Sequence, residues 1–160
     1  MRRLAGFRFA ALACCVLALA ACSKKNNPIE DGDGPGIGKA APGSVQEFQT
    51  EVGDTVYYLV DQSSLTPEGQ ETLRKQAAWL QQYSAVTIQV EGHADERGSR
   101  EYNIGLGERR AQTVRRAMLA KGVAEGQMTT VSYGEERPAV PGHDEAAYDQ
   151  NRRVELVYAQ

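Results

Sequence analysis

The 160-residue sequence has few cysteines, no excess of basic residues and no apolar run long enough to cross a bilayer. Lys and Arg number 18 against 21 Asp and Glu, which gives a formal net charge of −3. This balance excludes the concentrated positive charge of a general nucleic-acid binder. The three cysteines are an odd number, so their positions matter more than their count. With 41% hydrophobic residues, the chain still has the material for one packed domain.

Motifs for catalysis and for metal binding are also missing. The sequence has no Gly-x-Ser-x-Gly nucleophile motif, and no nucleophile, base and orienting group stand out as a set. The candidate metal ligands are His93, Asp95, His143 and Asp144, but they lack the i, i+4 spacing of a helical metal motif. We therefore expect no enzyme, no metal site and no cofactor. Asp144 is expected instead to cap a short helix that reaches Tyr148.

Residues 1–21 have the layout of a secretory signal. Arginines without any acid are followed by an apolar run over residues 9–21, shorter than the about 20 residues of a membrane-spanning helix. The run ends in Leu19-Ala20-Ala21-Cys22, which resembles the bacterial lipobox, whose cysteine becomes the lipidated first residue. This resemblance implies N-acyl and S-diacylglycerol groups on Cys22, and Ser23 after it implies the outer membrane. The alternative is an ordinary signal with a cysteine nearby by chance.

Cleavage before Cys22 would change both the cysteine count and the charge. It removes Cys14 and Cys15, so the mature chain keeps one cysteine and forms no internal disulfide in an oxidising compartment. It also removes three arginines, which leaves 15 basic against 21 acidic residues, a net charge near −6. Several acyl chains on one cysteine make a stable anchor.

The remaining chain is expected to divide into a linker and one domain. Residues 22–53 hold the lipidated cysteine and a stretch interrupted by Gly and Pro, which is typical of a flexible linker of roughly 30 Å span. Folding of this stretch into a small element is the alternative, and the Gly and Pro density disfavours it. Residues 54–160 carry regular strand and helix patterns and are expected to fold.

Strand and helix patterns alternate through this domain. They predict strands near residues 56–60, 86–90, 128–133 and 154–158, and helices near 66–83 and 101–121. Thr66 and Pro67 suit the N-cap and first position of the first helix, and Gly122 stops the second. The order predicts an α/β (α+β) fold, a two-layer sandwich of about four strands with two main helices on one face.

The loop after the second strand and the helix beyond it carry the candidate site. Asp95 lies in the loop at residues 92–98, directly after a strand end, where binding loops are common. Arg110 falls on the apolar stripe of the helix, where a buried guanidinium needs a partner. Two interpretations stay open. Asp95 and Arg110 either pair to join loop and helix, or bind a zwitterion, with Asp95 taking an ammonium group and Arg110 a carboxylate.

Four motifs resemble those of the outer-membrane-protein-A-like peptidoglycan-binding domain. They are Gly92-His93-Ala94-Asp95-Glu96-Arg97-Gly98, Asn103-x-x-Leu106-Gly107-x-x-Arg110-Ala111-x-x-Val114, Val131-Ser132-Tyr133-Gly134 and Asn151-Arg152-Arg153. The resemblance covers the predicted folded domain. It implies non-covalent binding of the peptidoglycan stem peptide through meso-diaminopimelate, with Asp95 and Arg110 as the principal ligands.

The resemblance also implies a role for the end of the first strand. Backbone amides there contribute to ligand binding in the family, and Asp61 matches the aspartate found at that place. Val60 stands where the family commonly has Phe. This change of side chain leaves the backbone N–H of residue 60 able to donate to a ligand. Leu106 is expected to line the pocket.

Protein partners follow from the same resemblance. Lipid-anchored members of the family bind the periplasmic propeller protein TolB of the Tol system at a surface that overlaps the peptidoglycan site. This implies a role in drawing the outer membrane inward during cell division. The alternative function is therefore a hub for TolB and other Tol proteins, with wall binding secondary. Glu96 and Arg97 either serve a protein partner or form local ion pairs.

Overall fold

The structure, a computed structural model, describes residues 40–159. The predicted signal, the lipidation site at Cys22 and most of the predicted linker lie outside the described residues. No helix within residues 40–159 has the length and apolar character needed to cross a membrane.

Four strands and two long helices make up the domain, in the alternating order that the sequence predicts. The elements are α1 (Val45–Glu47, continued by a π-helical turn at Phe48–Val52), β1 (Thr55–Tyr57), α2 (Pro67–Gln82), β2 (Ile88–His93), α3 (Arg100–Ala120), a 3₁₀ turn (Glu125–Gln127), β3 (Met128–Gly134), α4 (Glu145–Asn151) and β4 (Arg153–Tyr158).

The strands form one mixed sheet in the order β1-β4-β2-β3. β2 and β3 are parallel and are connected through α3, while β4 runs antiparallel between β1 and β2. α2 and α3 contact each other and the sheet, and one apolar cluster contains side chains from both helices and all four strands. The predicted fold class is confirmed. A register shift at the Gly92–His93 step of β2 redirects the chain just before the loop that carries Asp95.

Side-chain caps fix the helix starts. The Thr66 hydroxyl accepts a hydrogen bond from the Gly69 N–H at 3.0 Å, as predicted. Ser99 caps α3 in the same way through the Tyr102 N–H, at 3.2 Å. Asp144 caps α4, which continues to Asn151, beyond the predicted end at Tyr148.

β1 is shorter than predicted, since it ends at Tyr57 and not near Val60. The Tyr58 N–H still donates to the Arg152 carbonyl, but the next residues leave the sheet. Arg110 donates to the carbonyl oxygens of Leu59 and Gln62 and holds this segment in a turn. The turn places Val60 and Asp61 beside the loop of Asp95.

Residues 44–52 were predicted as linker but form a helical segment packed on the domain. Phe48 is fully buried, with its ring 4.8 Å from the ring of Trp79. The Trp79 indole N–H donates to Glu47 at 2.8 Å. The stretch has a capping serine and no Gly or Pro, so the composition that indicates a linker ends at Gly43. The folded part therefore begins about ten residues before the predicted boundary at Asp54.

A contact between backbones holds α3 directly against β2. A Cβ atom on Gly92 would overlap the carbonyl oxygen of Gly107, and one on Gly107 would overlap the hydroxyl of Ser132. Only glycine permits this approach at both positions. The contact fixes the spacing between the Asp95 loop at the end of β2 and Arg110, one turn farther along α3.

Candidate functional site

A cavity of about 330 Å³ lies between the end of β1, the loop after β2 and the first turns of α3. All five residues that the sequence predicts as ligand contacts line it: Val60, Asp61, Asp95, Leu106 and Arg110. The remaining lining residues are Arg97, Gly98, Tyr102, Asn103 and Arg152. Chain segments far apart in sequence thus meet at one concave, charged site.

Arg110 is fully buried in the wall of the cavity. Its guanidinium donates to three backbone carbonyls, those of His93 (2.7 Å), Gln62 (2.8 Å) and Leu59 (3.2 Å). One N–H on each terminal nitrogen has no hydrogen-bond partner within residues 40–159. Burial lowers the pKa of Arg110 to about 10, so the group remains positive at neutral pH.

Asp95 does not pair with Arg110, so the first of the two interpretations is wrong. Its carboxylate accepts hydrogen bonds from Arg97, at 2.6 Å from Nη2 to Oδ2, and from Arg152, at 3.0 Å from Nη1 to Oδ2. Burial acts to raise the pKa of Asp95, but the hydrogen bonds from these arginines outweigh it and hold the pKa below its ordinary value. Asp95 is therefore an anion at neutral pH.

The sequence reasoning missed the role of Arg152. Its side chain is 3% exposed and contacts the carboxylates of Asp95, Glu145 and Asp149 and the carbonyl of Tyr58. It thereby joins the Asp95 loop, α4 and the end of β1. The sequence signal for this role was the Asn151-Arg152-Arg153 motif, in which two consecutive arginines stand at the start of a strand and need buried acidic or carbonyl partners.

The turn after β1 supplies free backbone donors. Val60 and Asp61 line the cavity, and their backbone N–H groups donate to no other group within residues 40–159. Asp61 has φ of 54°, which is unusual for a residue other than glycine, and its carboxylate accepts a hydrogen bond from the Tyr102 hydroxyl. Residues other than glycine that are held in this region occur often at binding and active sites.

Comparison with known proteins assigns the family. The model of the OmpA family matches residues 57–152. The chain belongs to the OmpA family. It is 48% identical over 143 residues to the peptidoglycan-associated lipoprotein of Brucella melitensis, covering 88% of this chain and 85% of that protein. It is 49% identical to the Haemophilus influenzae protein of the same name, over 89% and 92% of the two chains. The resemblance carried by the four motifs is confirmed.

Solved structures agree with this OmpA family assignment. The peptidoglycan-associated lipoprotein from Burkholderia pseudomallei is 43% identical, with a TM-score of 0.64 over 66% of this chain and 90% of that chain. The C-terminal domain of Helicobacter pylori MotB shares the fold at 22% identity, with a TM-score of 0.63 over 67% and 84% of the chains. The curated relatives and the Burkholderia protein are named for association with peptidoglycan and not for a catalysed reaction.

Glu96 and Arg97, the other charged residues of the loop at residues 92–98, have local partners within the domain. Glu96 accepts from the Tyr148 hydroxyl at 2.8 Å and lies 2.6 Å from His143 Nδ1. Arg97 pairs with Asp95 and Glu145. Within residues 40–159, no three His, Cys, Asp or Glu side chains are grouped so as to hold a metal ion.

His93, one of the candidate metal ligands, is a buried neutral side chain. It is 1% exposed, neither ring nitrogen has a hydrogen-bond partner within the described chain, and the ring lies 5.7 Å from that of Tyr133. Burial, helped by the charges of Arg153 and Arg137, lowers the pKa of His93 to about 3. Its backbone carbonyl, not its ring, contributes to the site by accepting from Arg110.

Proposed function

We propose that this chain is an outer-membrane lipoprotein that binds the stem peptide of peptidoglycan non-covalently and so links the outer membrane to the cell wall. The observation that carries the proposal is the convergence of Val60, Asp61, Asp95, Leu106 and Arg110 on one cavity. The names of the Brucella and Haemophilus relatives support the same function. Binding of the wild-type chain to purified diaminopimelate-containing peptidoglycan is the direct test, and a chain that stays in the supernatant would contradict it.

The chemistry of the cavity matches the side-chain end of meso-diaminopimelate, which carries one ammonium and one carboxylate group. Asp95 is the acceptor for the ammonium group, because it stays ionised in a partly desolvated site. The free N–H groups of Val60 and Asp61 are the donors for the carboxylate. Leu106, which is 6% exposed in the cavity wall, contacts the methylene chain between them.

Arg110 has two roles in this mechanism. It holds the carbonyl groups on both sides of Val60 and Asp61, which keeps their N–H groups in place. Since it is fully buried, it contributes positive charge from behind these donors, and its two remaining N–H groups strengthen binding of a carboxylate that approaches them. Loss of Arg110 would therefore remove both the charge and the arrangement of the donors.

The two ends of the sheet suit a link between membrane and wall. Ile88 at the start of β2 is paired with Tyr158 near the end of β4, while the Asp95 loop follows the other end of β2. The Tyr158 hydroxyl donates to the Gly43 carbonyl. Gly43 therefore lies at the end of the sheet opposite the cavity, which suits a domain that is tethered at one end and binds the wall at the other.

Lipid attachment at Cys22 is part of the proposal, with the domain facing the periplasm. We expect Cys22→Ser to convert the protein into a soluble periplasmic form, because no acyl chains are added and residues 9–21 are too short to span the bilayer. Membrane fractionation after spheroplast preparation measures this. If the variant stays in the outer-membrane fraction, the lipid-anchor assignment is wrong.

A second function is favoured by the apolar surface beside the cavity. Tyr57, Leu59, Val60 and Tyr102 are between 45% and 63% exposed, and Val60 and Tyr102 line the cavity itself. Exposed apolar side chains grouped around a charged pocket are typical of protein interfaces. A partner such as TolB that covers these side chains would also close the cavity. Binding to the wall and binding to TolB would then alternate, as expected of a member of the Tol-Pal system that acts in cell division.

A further inference from the structure

Arg97 covers the carboxylate to which the proposed function assigns the ligand ammonium group. Its backbone N–H lies 3.1 Å from Asp95 Oδ1, and its Nη2 lies 2.6 Å from Oδ2. Arg152 binds the same carboxylate at 3.0 Å. The Arg97 side chain is 42% exposed, whereas that of Arg152 is 3% exposed. A cation that arrives from solvent therefore meets Arg97 first.

The Arg97 guanidinium already has two partners outside the cavity. Its Nη1 donates to Glu145 Oε2 at 3.1 Å, and its guanidinium carbon lies 4.5 Å from the centre of the Tyr148 ring. Neither residue lines the cavity. Gly98 follows with φ of 115°, a backbone conformation that favours glycine. Arg97 can thus give up the Asp95 side chain and keep an anion and an aromatic ring as partners.

The charges of the cavity favour this displacement. Its lining includes three arginines, Arg97, Arg110 and Arg152, against two aspartates, Asp61 and Asp95. With Arg97 turned outward, two positive and two negative side chains remain, which suits a ligand end that is itself a zwitterion.

We infer that Arg97 is a built-in competitor of the ligand: its guanidinium occupies the ammonium site on Asp95, and when a stem peptide binds it leaves Asp95 and keeps only Glu145 and Tyr148 as partners. This inference rests on the proposed function and adds a selectivity element to it. Only a ligand whose ammonium group replaces the Arg97 contact gains access to Asp95. Arg152 stays in place, so Asp95 remains ionised and ordered while Arg97 is away.

Titration calorimetry on the mature chain carrying Cys22→Ser tests the inference. The probe is the tripeptide L-Ala-γ-D-Glu-meso-diaminopimelate. Arg97→Met removes the competing charge and keeps a long side chain, so we expect binding to become about three- to tenfold tighter. The control is Arg100→Met, which removes an equal charge from a 65% exposed side chain that pairs with Glu136 and is expected to change binding less than about twofold. Unchanged or weaker binding by Arg97→Met would overturn the inference.

A second probe separates competition from a general effect of charge. In it, 2-aminopimelate replaces meso-diaminopimelate, which keeps the side-chain carboxylate and removes the ammonium group. Competition predicts no gain from Arg97→Met with this probe, and an equal gain with both probes would contradict it. If the wild-type chain binds the first probe but Arg97→Met does not tighten it, the inference alone fails. If no variant binds the first probe, the proposed function fails and the inference with it.

Discussion

Asp95→Asn is expected to weaken binding to diaminopimelate-containing peptidoglycan by about thirtyfold or more, since loss of one partner of a buried charge pair costs about 2–5 kcal/mol. The substitution keeps the shape of the side chain and removes its charge. Arg152 keeps Glu145 and Asp149 as partners, so the fold is expected to survive. Co-sedimentation over a range of protein concentrations, with the mature chain carrying Cys22→Ser, measures the effect.

The matched control for this experiment is Glu136→Gln. It also removes one negative charge, but from a residue that pairs with Arg100 and does not line the cavity. Its binding is expected to equal that of the wild type, and thermal unfolding of both variants shows whether they fold. Wild-type binding by Asp95→Asn, or an equal loss in Glu136→Gln, would show that Asp95 is not the ammonium acceptor.

Arg110→Ala is a less specific variant for the same question. It removes a donor from three backbone carbonyls, of which the Leu59 carbonyl keeps the Gln62 N–H, and a buried acceptor left unsatisfied costs about 1–3 kcal/mol. A loss of binding would then be accompanied by a loss of stability. Asp95→Asn separates the two effects.

Gly92→Ala is expected to lower the free energy of unfolding by about 3 kcal/mol or more, because the added Cβ would overlap the Gly107 carbonyl. A helix and a strand would have to move apart, and neither backbone can yield as a flexible side chain does. The same movement would change the spacing between Asp95 and Arg110, so ligand binding is expected to fall as well. Urea denaturation followed by circular dichroism measures the stability.

Gly126→Ala is the control for this substitution. Gly126 lies in the 3₁₀ turn before β3, and a Cβ there would have no atom within 4 Å. We expect a change within about 0.5 kcal/mol. If Gly92→Ala unfolds at the same urea concentration as Gly126→Ala, the close contact between β2 and α3 does not constrain the site.

The residues of the site were predictable because strong local patterns and the family motifs mark them. Strand alternation before Asp95 and the helical spacing of Arg110 place both residues near one edge of the sheet, and the family motifs supply Asp61, Val60 and Leu106. That all five line one cavity is a structural finding, since it depends on the turn after β1. Their roles as ligands stay predictions.

The partners of the charged residues could not be read from the sequence. Asp95 and Arg110 have opposite charges and lie close together, but Asp95 binds Arg97 and Arg152 while Arg110 binds carbonyl groups. Pairing among several arginines and acids is decided by distances of a few ångströms, which residue spacing does not fix. Phe48 was missed for a similar reason. A single aromatic residue that follows a Gly- and Pro-rich stretch carries no sequence pattern that indicates whether its side chain packs in the core.

Recognition of the diaminopimelate carboxylate together with its ammonium group is the central claim, and one titration tests it directly. The mature chain carrying Cys22→Ser is titrated with L-Ala-γ-D-Glu-meso-diaminopimelate and with the same tripeptide ending in L-lysine, which has the ammonium group but no side-chain carboxylate. The N–H groups of Val60 and Asp61 and the charge of Arg110 predict binding of the first peptide and at least about tenfold weaker binding of the second. Equal affinity for both peptides, or no binding of the first, would contradict the account.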